Sequence, residues 1–410
     1  MLTTNLRVDV PQEIIDSVLD ELQDDRAVLS TCALASRSFR ARAQEHLYTG
    51  ITLDLSAQAR LSDLHTILIT NPVLSDHVHD LSMLLRQGTF RTLQILSPIL
   101  GMLSGVQNLT ISGDMSHPPM WDFIEPELRS CMYTVMQRPN VTKVTAENVH
   151  RVPIWYLIRH CGQLRYIDAG KGVSLAPDSD GDSLGAIFPG WSLSAPPSAL
   201  TSVTFPSSQL RTLRLDGIQC AIAFLRATDP TSCRTRIPHL QTLVLIGVDP
   251  YACQPFLDTY AQTLTTVDLA PAGPFFMQNM PPPPPPGFLV WTQMTALRSI
   301  HLAFVDWEPQ TLDIWLHGTL ASIPSVNRLE TLRLTGAAIL SVDMWRALDT
   351  MLAGMDGLSR AHIRVDLKRD CTSREIAERF LRDNLPCLRE RGDVSVNWVD
   401  TSGEHCSEKH

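Results

Sequence analysis

LRTLRL at Leu210–Leu215, LQTLVL at Leu240–Leu245 and LETLRL at Leu329–Leu334 are one six-residue pattern written three times. Leucines hold the first, fourth and sixth places. The last two alternate around a single polar or smaller residue, which is the period of a strand with one face buried, and the leading leucine marks the turn that enters it.

Looser copies carry apolar residues at the same offsets. They stand at Tyr48/Ile51/Leu53, Val78/Leu81/Met83, Val106/Leu109/Ile111, Val141/Val144/Ala146, Leu164/Ile167/Ala169, Leu264/Val267/Leu269 and Leu297/Ile300/Leu302, with a degenerate copy at Leu358/Ala361/Ile363. Helical patterns lie between them, at 61–69, 90–103, 127–136, 154–161, 222–227, 256–264, 311–323, 342–355 and 374–385. One strand and one helix in roughly thirty residues, repeated, resembles the leucine-rich repeat. The resemblance implies an α/β chain wound as an irregular solenoid, with a concave parallel sheet and convex helices, each unit burying its inner leucines against its neighbours. Asp114, Ile218, Val248, Ala272, Val305 and Ala337 occupy places where the standard repeat has Asn or Cys, so the units are divergent. An ordinary α/β domain would also alternate strands and helices. It has no reason to repeat one template, which favours the solenoid.

Upstream of the repeats, Val10 to Tyr48 packs three short amphipathic patterns into about forty residues, too few for a self-sufficient core. Pro11 and Glu13 suit a first helical turn, and Ile14, Ile15, Val18, Leu19 and Leu22 form one helical face. Asp24 or Asp25 can cap a second helix with the stripe Val28, Leu29, Cys32 and Ala33. Ser36 or Ser38 can cap a third carrying Phe39, Ala43 and Leu47. The residues Val10-Pro11-Gln12-Glu13-Ile14-Ile15, then Cys32 to Phe39, then Ala43 and His46-Leu47-Tyr48 resemble an F-box, most closely those of the expanded fungal F-box families. Val10 replaces the commoner Leu and Phe39 the commoner Trp, each keeping an apolar group. The resemblance implies docking on the Skp adaptor of a Skp–cullin–F-box (SCF) ubiquitin ligase, with Pro11, Ile14, Ile15, Leu29 and Leu34 as adaptor-binding residues. Read from amphipathicity alone, the same helices could instead cap the solenoid.

The expected organisation is therefore an F-box module at 1–48, a solenoid at 49–400 and a disordered polar tail at 401–410. Insertions at 170–199 and 271–287 interrupt the repeats, each directly after a strand signal, so both are expected on one rim. The second includes Pro281 to Pro286, a polyproline II run of the kind that SH3-like or WW-like grooves dock, or else a plain loop stiffener.

With 410 residues, 44% hydrophobic and 19% charged, the chain can bury a large core. A net charge of -9 argues against a nucleic-acid or anionic-membrane partner. MLTTNLRVDVPQE lacks the basic and apolar regions of a signal peptide, and no apolar run reaches membrane-spanning length. Nine cysteines without a C-x-x-C pair read as free thiols. A soluble cytoplasmic or nuclear protein is expected.

Motifs for chemistry fail on inspection. Gly170-Lys171-Gly172 has Arg165 where a phosphate loop needs Gly and Gly172 where Ser or Thr should follow the lysine. Asp178, Asp180 and Asp182 are spaced like an EF-hand, yet Ser183 and Pro189 stand where Gly and Glu are required. His405, Cys406 and His410 make a weak metal set at a polar terminus. No catalytic residue, cofactor or metal is expected. What remains is the outward stripe of the sheet, Thr110, Asp168, Arg214, Val244, Asp268, His301, Arg333 and His362, of mixed sign and suited to a protein surface. Asp168, Arg214, Asp268, His301 and Arg333 are the candidate target-binding residues. Together the two halves predict a non-catalytic substrate-recognition subunit, the module holding the adaptor (and through it the cullin) while the repeats hold an unidentified protein target. The alternative is a repeat scaffold with no ligase role.

Overall fold

The computed structural model describes residues 10–86, 93–175, 208–217, 237–248, 250–271, 289–304, 307, 309–324, 329–336, 341–355, 358, 361–368, 379, 382–390 and 394–399. They fall into two compact units, one ending at His150 and one beginning at Arg151.

The first unit opens with α1 (Gln12–Glu21), α2 (Arg26–Ala35) and α3 (Arg37–Thr49). Strand–helix repeats follow, β1 (Gly50–Asp54), α4 (Gln58–Thr70), β2 (Asp80–Leu85), α5 (Leu93–Met102), β3 (Asn108–Gly113), α6 (Pro126–Met136) and β4 (Lys143–Glu147). Each strand pairs in parallel with the next in sequence, and the register aligns Ile51, Leu81, Leu109 and Val144, the second place of successive templates. The third places, Leu53, Met83, Ile111 and Ala146, are all buried. Fully burying a Leu, Met or Ile side chain stabilises by about 1.5–3 kcal/mol, so these anchors help hold each strand in register. Helix α4 packs on α5, and α5 on α6.

The second unit contains α7 (Ile154–His160), β5 (Tyr166–Ala169), β6 (Thr212–Asp216), β7 (Thr242–Val248), α8 (Pro250–Thr259), β8 (Thr266–Pro271), β9 (Ser299–Ala303), α9 (Pro309–Ala321), β10 (Thr331–Thr335), α10 (Val342–Ala353), β11 (His362–Lys368), α11 (Pro386–Glu390) and β12 (Val394–Val399). Its strands are again parallel and in chain order, aligned through Ile167, Leu213, Leu243, Val267, Ile300, Leu332, Ile363 and Val394. Parallel strands paired in sequence order, with a described helix in most of the crossovers, are the strand–helix array of leucine-rich-repeat type that the template anticipates. After β6 and β10 the main chain continues the pairing, with Gly217 N–H donating to Ile246 O and Gly336 N–H to Asp366 O. Gly336 has φ +80°, and a Cβ there would lie 2.3 Å from Phe304 O, so only glycine fits.

Three sequence expectations change. Helix α8 begins at Pro250, ahead of the expected 256–264, because Leu264 already leads into β8 and the buried stripe is Cys253, Phe256, Leu257 and Tyr260. In β11 the register sets Ile363 opposite Leu332, two residues away from the expected template alignment, so Arg364 and not His362 faces Arg333. Strand β12 was not expected, since Arg391 stands where the template requires an apolar residue, although Val394 and Val396 alternate as a strand should. The expected helix at 222–227, Pro281 to Pro286, most of both insertions and the 401–410 tail lie outside the described residues.

Candidate functional site

Two surfaces carry the residues singled out by sequence, one in each unit. In the first unit, Asp25 caps α2 by accepting from Ala27 N at 3.1 Å and Val28 N at 3.0 Å, and Ser36 caps α3 by accepting from Ser38 N. Leu19, Leu29, Ala33 and Ala43 form the buried centre of the three helices, with Ile15, Leu22, Cys32, Phe39 and Leu47 packed around it. Polar bonds fasten the outside. Arg42 Nε lies 2.6 Å from Asp20 Oδ1, His46 Nε2 lies 2.7 Å from the same oxygen, and Arg26 Nη2 donates to Leu47 O at 2.7 Å. The hydrogen bond from Arg42, then that from His46, lowers the Asp20 carboxyl to a pKa of about 2.

This centre is too small to cover every apolar residue of α1. Ile14 stays 54% exposed and Val18 55%, one helical turn apart, with Val10 exposed just ahead of them. They line a groove of about 520 Å³ whose other walls are Ile15, Leu22, Cys32 and Phe39. Gln12 closes one end by donating to Ser38 O at 2.8 Å. Such a row on a small module is the unpartnered face that water disfavours.

The five adaptor-binding expectations separate here. Pro11 and Ile14 are exposed and Ile15 is half-buried beside the groove. Leu34 is 84% exposed at the end of α2 and does not line the groove. Leu29 is 0% exposed and belongs to the core, so it cannot touch a partner directly. Val18, which the expectations omitted, takes its place on the open face. The signal for it was present, since Val18 lies four residues after Ile14.

In the second unit, the outward residues of the sheet fall into one row across the strands: Asp168, Arg214, Val244, Asp268, His301, Arg333, Arg364 and Ser395. All five target-binding expectations lie in it. Arg214 Nε is 3.7 Å from Asp168 Oδ1, an ion pair too long for a hydrogen bond, and Tyr166 Oη donates to Asp168 Oδ2 at 3.3 Å. Burial pushes the neighbouring Asp216 carboxyl up, against the pull of Arg214. His301 Nδ1 lies 2.9 Å from Asp268 Oδ1, and its Nε2 lies 2.8 Å from Thr335 Oγ1. Thr335 and Arg333 both donate to Asp366 Oδ2, while Arg364 Nε donates to Oδ1 at 2.8 Å. Charges in this row are thus largely held by one another. Arg364 and Asp366 were not anticipated, because the two-residue slip of β11 hid their alignment.

Among the described residues no three His, Cys, Asp or Glu side chains come together to hold a metal, and no helix is long and apolar enough to cross a membrane. No family model matches the chain, and no curated protein is similar to it. Among solved structures it is similar to the complex of Rad7 and Elc1 in yeast, at 14% identity and a TM-score of 0.30, covering 92% of this chain and 73% of that one. It is also similar to a leucine-rich-repeat protein of Leptospira interrogans, at 12% identity and a TM-score of 0.24, covering 81% of this chain and 98% of that one.

Proposed function

We propose that the chain is a non-catalytic substrate-recognition subunit of an SCF-type ubiquitin ligase, with α1–α3 docking the Skp adaptor and the repeats holding a target protein. The observation that carries this reading is the open apolar row Val10, Ile14 and Val18 on a helical module whose sequence resembles an F-box. A cap evolved only to close a solenoid would turn that row inward.

The join between the halves supports the same role. Helix α3 ends at Thr49 and β1 begins at Gly50, with no linker between them, and His79 N–H bonds to Thr49 O at 2.9 Å. A recognition subunit works by holding a target lysine at high effective concentration near the charged enzyme, and slack in this join would dilute it.

Co-expression with the Skp adaptor and cullin tests the reading. Ile14→Asp with Val18→Asp buries two unpaired carboxylates in the interface and should remove co-purification, while the fold survives because both side chains already face water. Undiminished recovery of the adaptor with that variant would refute it. Leu29→Asp is unsuitable for this purpose, since it would unfold the module.

A further inference from the structure

Arg333 and Arg364 stand directly opposite each other on the parallel strands β10 and β11. Their side chains share one face of the sheet, because Leu332, Leu334, Ile363 and Val365 on either side of them are buried in the core. Like charges directly opposite across strands destabilise a sheet. Here a single carboxylate reconciles them. Asp366 is 0% exposed and accepts the Nε of Arg333 on Oδ2 and the Nε of Arg364 on Oδ1.

One arginine would be enough to satisfy a buried aspartate. The second leaves a surplus positive charge on the sheet face, with both arginine side chains about a third exposed. Because each bonds Asp366 through Nε, both terminal NH₂ groups of each fork remain to be used, and among the described residues no other acceptor is in reach of either. Other polar groups stand around them. Thr331 precedes Arg333 by two residues, and His362 precedes Arg364 by two with its Nε2 2.8 Å from Ser395 Oγ. Of the acids nearby, Asp268 faces His301, and Glu330 pairs with Arg298 at 3.0 Å.

We infer that Arg333 and Arg364, oriented by Asp366, form a receptor for one carboxylate of a target protein, an Asp or Glu side chain in an acidic segment. Two guanidinium charges against one carboxylate leave a single positive charge, which matches a carboxylate. A phosphate monoester carries about -1.5 to -2 and would be left half-neutralised. Forked N–H donors held in place are also the geometry that grips a carboxylate through two oxygens. The inference deepens the reading of this face as the target-holding surface.

The test is fluorescence anisotropy of the full chain with three dye-labelled peptides: six glutamates, six glutamines, and three phosphoserines alternating with three glutamines to give nearly the same total charge as the first. The glutamate peptide should bind tightest. Arg333→Gln and Arg364→Gln, each of which leaves Asp366 one arginine, should lower its affinity about tenfold or more, as loss of a hydrogen bond to a charged group does. Arg364→Lys keeps the ion pair but not the fork, and should also lose affinity; it serves where a glutamine variant fails to fold by circular dichroism. Equal binding of the glutamate and glutamine peptides, tighter binding of the phosphoserine peptide, or unchanged affinity in the folded arginine variants would overturn the inference. Adaptor binding measured on the same protein keeps the two claims apart. Retained adaptor binding without acid preference refutes only the carboxylate receptor, and acid preference without adaptor binding refutes only the ligase role.

Discussion

Arg42 on α3 reaches Asp20 on α1 with its Nε 2.6 Å from Oδ1, a polar tie between the two helices. His46 approaches the same carboxylate at 2.7 Å. Helix α1, which carries the open row, is therefore held by a polar clasp as well as by Leu19.

The clasp gives a pH dependence of known sign. Asp20 has its pKa lowered to about 2, so its contribution is complete above the unfolded value near 3.9 and is lost as pH falls toward 2. Asp20→Asn should protect α1 amides less than wild type above about pH 4, with the difference closing as pH approaches about 2. Hydrogen exchange across this window reads it out. Because the pair is solvent-accessible, the difference should also shrink in high salt.

Leu29 and Leu34 should behave as opposites. Leu29→Ala opens a cavity in a small core and should cost about 2–5 kcal/mol of module stability in denaturant titration. Leu34→Ala removes an exposed side chain and should change stability by less than about 0.5 kcal/mol. If Leu34 touches the adaptor, its loss appears only in affinity.

Gly336→Ala should destabilise the second unit by more than about 1 kcal/mol, through the positive φ and the 2.3 Å approach to Phe304 O. Gly217 also has a positive φ, +106°, but open space around an added methyl, so thermal unfolding of Gly217→Ala should show the smaller loss.

Asp349 is buried and accepts from Cys387 N at 2.9 Å and Leu388 N at 2.8 Å, tying α10 to the start of α11. Asp349→Ala strands two backbone donors and should cost about 2–4 kcal/mol. Asp349→Asn keeps one acceptor oxygen and should cost less. Equal losses in the two variants would mean that the hydrogen bonds do not govern this junction.

Strand positions were legible in the sequence because burial in a repeat is local: a leucine three and five residues after another reports the same pocket each time. Register was not local, which is why the β11 slip and the pairing of Arg333 with Arg364 escaped a template tied to Leu358. Strand β12 escaped for a related reason, since Arg391 broke the template while Val394 and Val396 still paired with β11. In the helical module the stripe of α2 was readable, but adjacent residues differ in fate. Leu29 points into the core and Val28 does not, and only the packing angles of three helices decide that. The candidate site was half legible in consequence. Ile14 and Val18 were recognisable as members of one helical face, which of its apolar residues stay open needed the structure, and the clasp beside them lies in polar residues that no apolar pattern reports.

The central claim is that the row on α1 exists to be covered by an adaptor. Isothermal titration of the purified full chain with purified Skp adaptor, read together with hydrogen exchange on α1, tests it most directly. The account predicts saturable one-to-one binding that protects the amides around Ile14 and Val18 and is lost in the Ile14→Asp, Val18→Asp variant. Absence of binding heat with α1 amides unprotected, in a chain whose helices are folded, would contradict it.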